Sequence, residues 1–143
     1  MDDSIFAISQ TGLDFQRLRM EVIATNLANA NTTRTDGGKT FTPLEVVAST
    51  SSSNFGKVFD DVSGESMMRG IDNVNVIERD VTPRMKFDPA HPDADAQGFV
   101  HMPAINPINE MTNLVEATRA YEANIKVMSA AKSMAARALE IGE

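Results

Sequence analysis

Cysteine and tryptophan are absent from this 143-residue chain, and tyrosine occurs once. Without cysteine there is no disulfide scaffold, no thiolate metal site and no cysteine nucleophile. Positive charge is also scarce: 13 Lys and Arg stand against 20 Asp and Glu, a formal net charge of −7. With no basic stripe or tail to offset it, that balance repels a phosphate backbone, so nucleic acid is not an expected partner. No run approaches the ~20 apolar residues that span a bilayer, so membrane insertion is not expected. The opening Met1-Asp2-Asp3-Ser4 is acidic where a secretory signal needs positive charge, so no cleavable signal is expected. Work outside the cytoplasm would then require an export route other than general secretion.

The breaker residues are missing from particular places. Residues 1–31 contain no proline and a single glycine, Gly12, and residues 108–141 contain neither. All six prolines and six of the eight glycines fall between 37 and 107. The ends therefore read as helices and the middle as short strands and turns. The expected fold class is α+β: long N- and C-terminal helices paired as an antiparallel coiled coil, with a small β-rich middle element. The expected divisions are an N-terminal axial helix over 1–33, the middle over 34–105 and a C-terminal axial helix over 106–143.

In the C-terminal segment, Met111, Leu114, Thr118, Tyr121, Ile125, Met128, Lys132, Ala135 and Leu139 keep a 3/4 spacing, the pattern of a coiled-coil seam. A second series, Ala120, Asn124, Val127, Ala131, Met134, Ala138 and Ile141, runs beside it and is built mainly from small residues. One partner would not cover both. Asn106 can cap this helix, Pro107 suits its first position and Glu110 favours the positive end of its dipole. In the N-terminal segment Phe6, Leu13, Met20 and Leu27 recur at sevens, as do Ile8, Phe15 and Val22. At ~100° per residue the two sets point to nearly opposite sides, which implies burial among several neighbours.

Between the helices, Phe41 to Val47, Asn73 to Glu78, Arg84 to Phe87 and Gly98 to Met102 suit strands, and Ala48 to Gly56 has the composition of a flexible loop. The densest polar cluster is Asp88-Pro89-Ala90-His91-Pro92-Asp93-Ala94-Asp95-Ala96-Gln97-Gly98. Asp93, Asp95, Gln97 and Gly98 partly imitate a calcium loop, but Ala104 stands where the bidentate glutamate belongs. The two prolines flanking His91 point to a rigid turn whose Asp side chains bond backbone amides. No phosphate loop, nucleophile elbow or zinc motif accompanies the cluster, so no catalytic, metal or cofactor site is expected. The methionines on the helical series read as core filling.

Asn26, Asn29 and Asn31, within Val22-Ile23-Ala24-Thr25-Asn26-Leu27-Ala28-Asn29-Ala30-Asn31-Thr32, are less ordinary. Asparagine suits a helix interior poorly, and a helix stop needs one rather than three. Their amides can bond frayed carbonyls, tolerate a left-handed exit and bridge to a neighbouring chain.

This segment resembles the signature of the flagellar rod, hook and hook-associated axial proteins: an apolar pair, then small-polar-Asn-Leu-Ala-Asn-x-Asn. The run from Asn109 to Asn124 is similar to that family's C-terminal motif, and the Asp88–Asp95 segment with Gly98-Phe99-Val100 and Pro103 resembles its proximal-rod members. The resemblance implies a structural subunit of the rod that crosses the periplasm, transmitting torque and lining an export channel. It implies the flagellar type III export apparatus as the delivery route. As partners it implies other proximal- and distal-rod proteins and a FliE-type basal-body protein. The subunit contacts expected from motifs and seams together are Phe6, Leu13, Met20, Asn26, Leu27, Asn29, Asn31, Met111, Leu114, Tyr121, Asn124, Ile125 and Met128. A soluble helical adaptor for one partner helix is the alternative that the residues alone leave open.

Overall fold

The computed structural model describes residues 2–35, 37–49, 71 and 73–141. The order of elements is α1 (Asp2–Ala28), β1 (Leu44–Ser49), β2 (Asn73–Glu78), β3 (Arg84–Phe87), β4 (Phe99–Met102) and α2 (Pro107–Ile141). The α+β class follows directly, with the two long helices at the ends and short strands between. Ala48 and Ser49, expected in a loop, continue β1 instead; residues 50–56 of that loop lie outside the described residues.

Helix α1 holds 27 residues and its interior has no proline. Its end tightens rather than turning left-handed: Ala30 N–H donates to Leu27 O at 3.3 Å and Thr32 N–H to Asn29 O at 3.0 Å. Among the described residues only Gly38 and Gly98 have positive φ, so the left-handed exit expected at an asparagine does not occur. The amide of Asn29 instead donates to the Thr25 carbonyl at 2.9 Å, which also accepts from Asn29 N–H at 3.1 Å. Helix α2 holds 35 residues. Asn106 caps it, its Oδ1 accepting from Ile108 N–H at 3.0 Å and its carbonyl from Glu110 N–H at 3.0 Å.

The strands form two separate pairs, β1 with β2 and β3 with β4. The β3–β4 pair is antiparallel with Arg84 opposite Met102 and Phe87 opposite Phe99. The rings of Phe87 and Phe99 meet edge to face, 5.3 Å between centroids at 66°.

Over the described residues the chain forms two compact units, one from Met1–Leu18, Val47–Asn75 and Thr118–Glu143, the other from Arg19–Val46 and Val76–Ala117. The second unit holds every buried hydrophobic residue found among the described residues: Val22, Ile23, Ala30, Val100, Ile105 and Ala117. Pro103 and Asn26 are fully buried with them. Among the described side chains of the first unit Ser9 is buried, and α1 approaches α2 at Gly12, where a Cβ would lie 3.0 Å from Asn124 Nδ2. In the second, Arg19 lies 3.8 Å from Glu116.

The face α2 turns inward lies between the two series read from its sequence. Glu110 and Ala117 are buried, Leu114, Tyr121, Asn124 and Met128 half-buried, while Met111 and Ile125 are exposed. At one point the lack of a side chain is used directly: Gly12 leaves room for the Asn124 amide.

Candidate assembly surface

Large apolar side chains left in solvent mark the surface most plainly. On α2 they are Ile108, Met111 and Val115 in the second unit, and Ile125, Val127 and Met134 in the first, with Ile108 73% and Met134 64% exposed. Ile108, Met111 and Val115 are three and four residues apart, so they share one helical face. In the strands of the second unit Val76, Ile77, Met85 and Phe87 are likewise exposed, Phe87 at 63%. Singly exposed apolar residues are ordinary, but repeated ones on one helical face mark an interaction surface.

The expected contact residues divide in two. Met111 and Ile125 lie in the exposed set, and Asn31 is exposed at the exit of α1. Phe6, Leu13, Met20, Leu27, Asn29, Leu114, Tyr121, Asn124 and Met128 are half-buried. Asn26 alone is fully enclosed, at 1% exposure. Its Nδ2 donates to Leu44 O at 2.8 Å and its Oδ1 accepts from Leu44 N–H at 2.8 Å. Ile108 and Val115 escaped the reading of the sequence because the seam through Met111 and Leu114 accounted for their neighbours; their spacing from Met111 was the available signal.

The Asp88–Gly98 loop is a turn built from its own side chains. Asp95 Oδ1 accepts from Gln97 N–H at 2.9 Å and Phe99 N–H at 2.8 Å, and His91 Nδ1 accepts from Asp93 N–H at 3.1 Å. Gly98, at φ 84°, closes it, and a Cβ there would meet Pro89 Cγ at 3.0 Å and Phe87 Cε2 at 3.1 Å. The loop is also fastened to the exit of α1: Thr33 Oγ1 donates to Asp93 Oδ2 at 2.7 Å, and Arg34 stands 3.8 Å from Asp93. A shallow pocket of about 220 Å³ opens beside Thr33, Arg34, Asp93 and His101. Its charged groups already face one another, and among the described residues no group of three His, Asp or Glu is placed to hold a metal ion. Asp95 holds backbone, Asp93 holds Thr33 and Arg34, and Asp88 stands 3.7 Å from Lys86, all structural uses. No helix among the described residues is long and apolar enough to cross a membrane.

The two motif regions each match a family of known proteins. Residues 6–34 match the family described as flagella basal body rod protein, and residues 96–141 match the C-terminal family of flagellar basal body rod FlgEFG proteins. Over the whole length, the chain is 37% identical to the flagellar basal-body rod protein FlgC of Borreliella burgdorferi across 142 residues, covering 94% of this chain and 93% of the relative. It is 36% identical to FlgC of Bacillus subtilis, covering 95% of each, and 32% identical to FlgC of Salmonella typhimurium, covering 98% and 97%. A core gathered at the junction of helices and hairpin, carboxylates used for turns and apolar helix faces left outward agree with what these relatives are named for. The chain belongs to the FlgC family of flagellar basal-body rod proteins, structural subunits of the rod rather than enzymes.

Proposed function

We propose that this chain is a subunit of the proximal rod whose terminal segments, 1–33 and 106–143, pack against those of neighbouring subunits, transmit torque and line the export channel. The apolar row on α2, headed by Ile108, Met111 and Val115, carries the reading. Fully burying a side chain of this size contributes about 1.5–3 kcal/mol, and neighbours supply the burial that one chain leaves unmade. Helix-to-helix packing repeated around a tube is close-packed, resists compression and so passes torque.

The exposed Met111, Ile125 and Asn31 would meet neighbours first, and the half-buried Phe6, Leu13, Met20, Leu27, Asn29, Leu114, Tyr121, Asn124 and Met128 would complete the contacts where their outer edges remain open. The neighbours are other proximal- and distal-rod proteins and a FliE-type basal-body protein. The rod would cross the periplasm, reached through the flagellar type III export apparatus, and the helices would join there in coiled-coil fashion.

The test is to replace the exposed residues while sparing the core. A Met111→Asp, Ile125→Asp double variant should keep the thermal midpoint of the isolated protein, since exposed substitutions shift stability by no more than ~0.5 kcal/mol. Purified basal bodies from a strain carrying it should lack rods, and the cells should not swim. Complete rods and normal swimming would remove this surface from the assembly.

A further inference from the structure

Asn26 belongs to the segment that marks this chain as an axial protein, yet its side chain is spent inside the molecule. One edge of the amide presents an N–H and the carbonyl oxygen side by side, as the edge of a peptide strand does. Both meet the main chain of one residue, Leu44, at 2.8 Å each, eighteen positions further along. Leu44 is the first residue of β1, so the strand begins against a side chain of α1. On the adjoining residue, Pro43 O accepts from Arg79 N–H at 2.7 Å, at the end of β2. The start of β1 is therefore gripped by Asn26 and, one residue earlier, by the chain leaving β2.

From this geometry we infer that Asn26 is a register latch: its amide stands in for a third strand at Leu44 and fixes which residues of β1 face inward. Strand side chains alternate, so a slip of one residue exchanges the faces. In the latched register Leu44 and Val46 are half-buried while Glu45 and Val47 are exposed. Glu45 then lies 3.6 Å from Arg79. A slip would turn Glu45 inward and Leu44 outward. Asn26 is thus a positioning residue for the outward face of the sheet, separate from the exposed Asn31. The inference does not depend on where in the flagellum the chain works.

Amide hydrogen exchange of the full-length monomer tests it at one atom. In Asn26→Ala the Leu44 amide should exchange at least tenfold faster than in the parent, with a lowered thermal midpoint. Asn26→Asp puts a carboxylate oxygen where Nδ2 meets Leu44 O, so acceptor faces acceptor and the Leu44 amide should lose protection as it does in Asn26→Ala. Asn31→Ala should leave Leu44 unchanged. Should Asn26→Ala not fold, the parent decides: a protected Leu44 amide supports the latch, and one exchanging as fast as an unbonded amide overturns it. Unchanged Leu44 exchange in a folded Asn26→Ala protein that fails to build rods would also overturn it, and would place Asn26 on a neighbouring subunit.

Discussion

Gly12 and Asn124 touch where the helices come closest in their unit: a Cβ on Gly12 would sit 3.0 Å from Asn124 Nδ2, inside ordinary contact distance. A helix-interior glycine costs about 1 kcal/mol relative to alanine, so its presence there needs a reason, and the asparagine supplies one. Gly12→Ala in the parent should fail to deliver that gain, because the new methyl displaces the amide. In an Asn124→Ala background the same change should stabilise by about 1 kcal/mol. Chemical denaturation of the four proteins of this cycle measures the coupling, and strictly additive values would contradict the contact.

The hairpin turn is held by one carboxylate and one glycine. Asp95→Ala leaves the amides of Gln97 and Phe99 without their acceptor and should cost about 1–3 kcal/mol. Gly98→Ala forces a side chain into the left-handed region at φ 84° and against Pro89, and should cost more than ~1 kcal/mol. Thermal unfolding of each variant checks both. A change below ~0.5 kcal/mol in either would assign that residue no part in the turn.

Core and surface should separate cleanly. Ile105→Ala removes a side chain that is 2% exposed and should destabilise the monomer by about 2–5 kcal/mol. Met134→Ser alters an exposed position and should leave the monomer within ~0.5 kcal/mol of the parent while reducing its incorporation into rods. Denaturation midpoints beside rod yields give both readings; equal loss of stability in the two variants would contradict this division.

The sequence made several elements plain for physical reasons that need no partner. Breaker-free ends dictated the helices, and Pro107 behind Asn106 marked the start of α2 to the residue. Asn73–Glu78 and Arg84–Phe87 were legible because turn residues bound them on both sides. Which face of α2 turns inward was not, because apolar periodicity identifies large hydrophobic residues, whereas the contact at Gly12 rests on the absence of a side chain. The bond from Asn26 to Leu44 joins positions too far apart for local spacing to reveal, so an asparagine used within the chain read the same as one facing outward. Of the loop's carboxylates, Asp95 was legible as a turn former because prolines and a glycine surround it, whereas Asp93 reaches to Thr33, sixty positions away, which local spacing does not reveal.

The central claim is that the chain's own core lies at the junction of α1, β4 and α2, while the far stretches of both helices depend on neighbours for burial. Site-resolved hydrogen exchange at high dilution, compared with the same protein in purified rods, measures this directly. The account predicts slow exchange in the monomer over 22–30 and 99–117, rapid exchange over 2–18 and 118–141, and strong protection of those outer stretches once in the rod. Equal protection of all four stretches in a confirmed monomer, unchanged on assembly, would contradict it.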